Sequence, residues 1–192
     1  MENIFYMEEK LPSSQKKTKE GPGFHWMEFK GKKEKENFTF SPQLLFTQEG
    51  VSQIRSEGFP PVEMKAGECI LLSENRVITI SAPEKATLLF SRFDLINNTP
   101  ESETYRNYYH HCKQMVYQFT PIPVKKMIIT FVEQMIYHLQ NGLHSEKFHR
   151  LKARELHMLI QAYYTHEEVV SLLYPVLKKM YYMNPKVPHT KK

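Results

Sequence analysis

The chain has 192 residues, 41% of them hydrophobic and 12% aromatic, which excludes a disordered or collagen-like protein and suits one large domain, or one and a half small ones, with a real core. No run approaches the roughly 18–20 apolar residues a membrane helix needs, and the opening MENIFYMEEKLPSSQKK has early acids and no apolar h-region, so neither a membrane span nor a signal peptide is expected. The net charge is +5, but residues 178–192 hold five lysines and no acid, so residues 1–177 sum to zero and offer no basic footprint for a phosphate backbone.

Residues 1–21 are polar, with Lys16, Lys17 and Lys19, and read as a flexible arm. From about 24 to 95 the texture is short strands. GFHWMEFKG alternates, and the following runs are cut by turn signals at Glu49-Gly50, Glu57-Gly58, Ala66-Gly67, Glu74-Asn75 and Ala82-Pro83. Strands at this spacing predict an antiparallel sandwich or barrel. The texture changes at about residue 96. Thr99 and Pro100 offer a helix start, and Thr120 and Pro121 repeat the signal. Ile128, Phe131, Val132, Met135 and Leu139 then fall at helical spacing, with a stop at Asn141-Gly142. The organisation expected is an arm (1–21), a β-barrel (22–97), a helical subdomain (98–182) and a linker-like basic tail (183–192).

Residues 151–177 raise the question of a DNA-reading helix-turn-helix. Leu156, Leu159, Ile160 and Tyr163 form one apolar stripe; Val169, Leu172, Leu173, Val176 and Leu177 form a second. Thr165 and Glu168 make a capping box that starts the second helix at His166, and Pro175 is expected to kink it late. Its first turn carries Glu167 and Glu168, which repel phosphates and suit the helix dipole instead. Packing helices are the expectation.

The stretch TPIPVKKMIITFVEQMIYHLQNGLHSEKFHRLKARELHMLIQAYYTHEEVVSLLYPVL carries a wider pattern. A Pro-led helix ends in L-x-x-G-L (Leu139 to Leu143). Then come His149, Lys152, Glu155 and Leu156, the pair Tyr163 and Tyr164, the acids Glu167 and Glu168, and Tyr174, Pro175 and Leu177. This succession resembles the N-terminal, regulatory half of AraC-type transcription regulators from the Bacteroides lineage. The strand region, with its hairpin LLFTQEGVSQIRSEGF, resembles that half too, and the likeness covers about residues 24–178. The resemblance implies an α+β fold, an antiparallel cupin-like β-barrel or jelly roll (about 24–95) followed by an α-helical subdomain (about 99–182). It also implies a domain that senses an effector or dimerises, with DNA bound only through a C-terminal helix-turn-helix half that would begin near Lys192. The alternative is a stand-alone, metal-free cupin-like ligand carrier or enzyme.

Catalytic and metal signals point to neither an enzyme nor a cofactor. G-x-S-x-G, P-loop and H-E-x-x-H motifs do not occur. Metal-binding barrels of the resembled kind use a His-x-His pair and a Glu, whereas the strand region holds only His25. His110 and His111 would point about 100° apart on a helix, and Cys112 beside His111 would not face it. Cys69 and Cys112, far apart and without C-x-x-C spacing, fit reduced thiols in the cytoplasm. Candidate ligand-binding groups are Trp26, Arg55, Arg76 and Arg92, their competing reading being solvent-facing charges at strand edges. Met127, Ile129 and Ile136 fall partly outside the stripe of their helix and are the candidate dimer interface.

Overall fold

A computed structural model describes residues 23–31, 33–93, 105–112 and 115–183. Eight strands come first: β1 (Phe24–Phe29), β2 (Lys33–Thr39), β3 (Gln43–Glu49), β4 (Val51–Ser56), β5 (Val62–Lys65), β6 (Glu68–Leu72), β7 (Arg76–Ala82) and β8 (Ala86–Arg92). A 3-10 turn (Tyr105–Tyr108) leads into the short helix α1 (Tyr109–Cys112) and the two-residue strand β9 (Ile122–Pro123). Three long helices follow, α2 (Lys126–Gln140), α3 (Glu146–Tyr163) and α4 (His166–Met183). The arm 1–21, the helix start at Thr99 and Pro100, and the tail from 184 lie outside the described residues.

The strands form two antiparallel sheets, ordered β1-β8-β3-β6-β9 and β2-β7-β4-β5. Without β9 that order is an eight-stranded jelly roll, the double-sheet architecture shared by cupins. The fold class is therefore the expected one: an α+β chain, a cupin-like antiparallel barrel followed by helices.

The two sheets differ because their sequences differ. In β4 and β7 apolar and polar residues alternate, so Ile54, Ile78 and Ile80 face inward while Gln53, Arg55 and Val77 face solvent. In β3, β6 and β8 the runs LLF, CILL and ATLLF have no polar partner face. Successive residues go to opposite sides, and both sides are covered. Leu45, Ile70, Leu72, Leu88 and Phe90 join the core inside the barrel. Leu44, Phe46, Cys69, Leu71 and Leu89 join a second core shared with α2, α3 and α4. A strand buried on both faces reads as a near-continuous apolar run for this reason.

The expected α2 stripe, Ile128, Phe131, Val132, Met135 and Leu139, is buried, as is that of α4 from Val169 to Leu177. Three local expectations need correction. Thr120 and Pro121 do not start α2. Pro123 disfavours helix at Ile122, so this pair is extended and lies beside β6, where the N–H that proline lacks is tolerated at a sheet edge. Helix α2 begins at Lys126, and its N-cap Lys125 makes no side-chain capping bond. Tyr163 leaves the buried stripe of α3, being 45% exposed, while Tyr164 is 6% exposed. Helix α3 stops at Tyr163, and the extended backbone of Tyr164 turns its ring inward. Ile136 is core and not surface, as set out below. The capping box of α4 forms as expected: Thr165 N donates to Glu168 Oε2 at 2.8 Å and Glu168 N to Thr165 Oγ1 at 3.2 Å. Among the described residues no helix is long and apolar enough to cross a membrane.

Candidate functional site

The barrel lumen is filled by aliphatic and aromatic side chains, among them Phe29, Met64, Ile80 and Leu88. Its polar content is small. Thr47 Oγ1 and Ser52 Oγ are buried without a hydrogen-bond partner among the described residues. His25, the strand region's only histidine, alternates inward with Met27 and Phe29 and stacks on Phe90 at 4.4 Å. Among the described residues no group of three or more His, Cys, Asp or Glu is placed to hold a metal ion.

The four candidate ligand residues do not converge. Trp26 packs on the core between the sheet and the helices, on the opposite face of β1 from the lumen. Arg55 is exposed between the buried Ile54 and Ser56, on the outer face of the four-stranded sheet. Arg76 and Arg92 share one end of the barrel, because β7 begins and β8 ends there and both arginines alternate in phase with inward residues. That end is closed by aromatic rings. Phe119 is buried and stacks on Phe59 at 5.1 Å, Tyr117 meets Phe59 edge-on at 5.7 Å, and the Arg76 guanidinium lies 5.2 Å over the Phe59 ring. Arg76 also donates to the carbonyl of Glu57. Burial pushes the Tyr117 hydroxyl up to about 12, against the opposing pull of Arg76.

At the other end of the barrel a cleft of about 260 Å³ separates the β3–β4 and β7–β8 turns from α2. Glu28, Gln48, Glu49, Lys85 and Thr87 form one wall; Glu133, Ile136, Tyr137 and Gln140 form the other. Lys85 bridges Glu49 at 2.9 Å and Glu28 at 4.0 Å, leaving the cleft with an excess of carboxylate. The hydrogen bond to Glu49 raises the Lys85 pKa above its ordinary value. Among the proposed interface residues, Met127 is 45% and Ile129 36% exposed, but Ile136 is 6% exposed and belongs to the core shared with the sheet. Its position in the sequence, one residue beyond Met135, places it on the widening flank of a stripe that two packed layers cover.

The best-tied polar groups sit on the seam between barrel and helices, where sequence reasoning placed no site. Tyr164 Oη donates to Pro123 O at 3.0 Å and lies 3.6 Å from Cys69 Sγ, joining the end of α3 to β9 and β6. Burial raises the Cys69 thiol to about 12 and drives the Tyr164 hydroxyl well above its ordinary range. Lys125 pairs with Glu168 at 2.6 Å, and that hydrogen bond holds the Glu168 carboxyl below its usual value. His149 Nδ1 accepts the backbone N–H of Phe24 at 2.9 Å, while its Nε2 is buried without a partner among the described residues. The signal was present: His149, Tyr164 and Glu168 are all landmarks of the resemblance. Cys112 is also buried, its thiol raised to about 11, and His111 turns instead toward the ring of His166 at 5.9 Å. Neither thiol is a poised nucleophile.

No protein-family model matches the chain, and no curated protein matches it. Solved structures do. A cupin superfamily protein from Desulfitobacterium hafniense is 11% identical, with a TM-score of 0.36 over 42% of this chain and 71% of its own. The EutQ protein of Clostridium difficile is 21% identical, with a TM-score of 0.34 over 38% of this chain; the chain spans only 56% of that protein. A cupin-2 domain protein from Shewanella frigidimarina is 15% identical, with a TM-score of 0.33 over 38% and 71% of the two chains. At these identities no activity passes from one chain to the other.

Proposed function

We propose that this chain is the sensing and pairing domain of a bacterial, cytoplasmic AraC-type transcription regulator. In this reading it is not an enzyme, works as a homodimer and reaches DNA only through a separate C-terminal half. The observation that carries the reading is the setting of α2. One face of this helix is locked against the outer face of the five-stranded sheet by Ile128, Phe131, Val132, Met135, Ile136 and Leu139, while Met127 and Ile129 stay exposed on its two flanks near the first turn. Exposed apolar groups on a rigid element suit a two-fold contact. The apolar filling of the lumen favours pairing over capture of a small molecule inside the barrel. The residues of the resemblance support the same reading, because they fix the helices to the barrel.

The second reading, a metal-free ligand carrier, is favoured by the polar cleft beside α2. An effector bound there would touch the same helix that carries Met127 and Ile129, so the two readings join in one device. The test is sedimentation of wild type, Met127→Glu and Ile129→Glu at micromolar concentration, alongside native mass spectrometry for a retained small molecule. Each protein is also fused to a DNA-binding half that represses a reporter only when paired. The expected result is a wild-type dimer that represses, and monomeric variants that do not, with unchanged circular dichroism. A monomeric wild type that fails to repress overturns the pairing role.

A further inference from the structure

We propose that His149 is an acid-released latch that holds the first residue of the barrel, Phe24, to helix α3. The latch consists of one hydrogen bond across 125 positions of sequence: Phe24 N donates to His149 Nδ1 at 2.9 Å, inside the core between sheet and helices. An imidazole that accepts at Nδ1 carries its proton at Nε2. Among the described residues that buried Nε2–H has no partner, so the ring carries a desolvation penalty to keep this one acceptor facing Phe24.

Protonation removes the lone pair on which the latch depends. Nδ1 becomes a donor facing another donor, and a positive charge arises in an apolar setting. The surroundings do not compensate. From β1 the Phe24 ring meets the imidazole edge-on at 6.0 Å, and from α3 itself Phe148 does so at 5.9 Å. From α2, Phe131 packs on Phe24 at 5.9 Å and His138 on Phe148 at 5.5 Å. The loop before α3 brings His144, whose ring lies 6.4 Å away. Lys152, one turn along α3, places its ammonium 5.6 Å over the Phe131 ring. The neighbouring carboxylates are engaged elsewhere, Glu155 with Lys152 at 2.7 Å and Glu146 with Arg150. Among the described residues, the lysine beside His149 is a cation and the nearby carboxylates are turned to other partners. Burial, with a smaller contribution from His144, lowers its pKa below the ordinary histidine value.

The sign follows from linkage. The unfolded chain binds this proton more readily than the folded one, so stability rises with pH across the window. The latch contributes fully above the ordinary histidine range, near about pH 6.5, and is lost as pH falls from there through the lowered folded value. Its release unties the outer edge of Phe24, at the start of β1, the edge strand of the five-stranded sheet, while Gly23 O still accepts Arg92 N at 2.9 Å.

The test follows the Phe24 amide by nuclear magnetic resonance in the full chain. Its hydrogen exchange, corrected for intrinsic rates, is measured between about pH 7.5 and about pH 5. Wild type is expected to lose about tenfold in protection on the acid side. His149→Asn retains an acceptor near the Nδ1 position but does not titrate, so Phe24 is expected to stay protected throughout. His149→Phe has no acceptor, and Phe24 is expected to be unprotected at both limits. The proposal is overturned if wild-type protection is independent of pH, or if His149→Asn shows the same acid release as wild type. Because the asparagine variant keeps the hydrogen bond, the test stands even where the phenylalanine variant fails to fold.

Discussion

Replacing Gly50 by alanine is expected to damage the fold far more than replacing Gly67, although both glycines lie in tight turns that cross between the two sheets with almost the same backbone. Their φ values are +80° and +82°, in the left-handed region that a Cβ disfavours. For alanine this conformation costs roughly 1–2 kcal/mol at either position. The loss of glycine's freedom in the unfolded chain offsets about 0.4–1 kcal/mol of that, again equally. The surroundings separate the two sites. A Cβ on Gly67 meets nothing within 4 Å, whereas one on Gly50 lies 2.1 Å from Lys85 O and 2.9 Å from Ala86 Cα. Both contacts are backbone, so the β3–β4 tip and the β7–β8 turn must part. Forcing extra volume into a packed site costs about 1–3 kcal/mol, and this overlap belongs at the upper end. Gly67→Ala should therefore lose about 1 kcal/mol and Gly50→Ala about 3–4 kcal/mol, read from urea midpoints at a common slope. The same displacement moves Lys85 away from Glu49 and opens the wall of the cleft. Equal losses in the two variants, within about 0.5 kcal/mol, would refute the reasoning, since the steric contact would then be absent in solution.

The remaining expectations concern the seam. Tyr164→Phe keeps the ring but leaves Pro123 O without its donor, and should cost about 1–3 kcal/mol in urea titration; a neutral substitution would mean that water reaches this carbonyl. Cys69 and Cys112, with thiols held near about 12 and about 11, should resist Ellman's reagent at neutral pH in the folded protein and react fully in denaturant. Rapid reaction of either thiol without denaturant would show that the helical layer opens locally.

The order of strands and the type of each long helix were legible because their patterns obey simple periods. The turn signals at Glu49-Gly50 and Ala66-Gly67 fall at tight turns, but the strands flanking each belong to different sheets, so the expected hairpin at Glu49-Gly50 is a crossing between sheets; the capping box at Thr165 and Glu168 forms as written. Failures occurred where two signals competed or where tertiary contact decided the matter. Pro121 resembled a helix start, but Pro123 two residues later imposed an extended backbone that only pairing with β6 could use. Tyr163 and Tyr164 are chemically identical neighbours, and the last hydrogen bond of α3 determines which one is buried. Ile136 was misplaced because one stripe was assumed, whereas α2 packs against both the sheet and α3. Trp26 and Arg55 were grouped by chemistry alone; strand alternation sends them to different outer faces. The latch at His149 was invisible because its partner is a backbone N–H, which no sequence letter marks.

The five-stranded sheet is apolar on both faces, and this makes it a party wall. Phe24, Leu44, Phe46, Leu71 and Leu89 are as necessary to the helices as Leu45, Ile70 and Leu88 are to the barrel. A boundary near residue 97 therefore marks a change of secondary structure and not a place where the protein can be divided. A fragment carrying only β1 to β8 would bare an apolar plane of four strands, open to stacking on its own kind. A fragment carrying only the helices would lack the surface that orders them. Barrel and helices stand or fall together, so a disturbance of the rim reaches the outer face of α2 through a single shared layer.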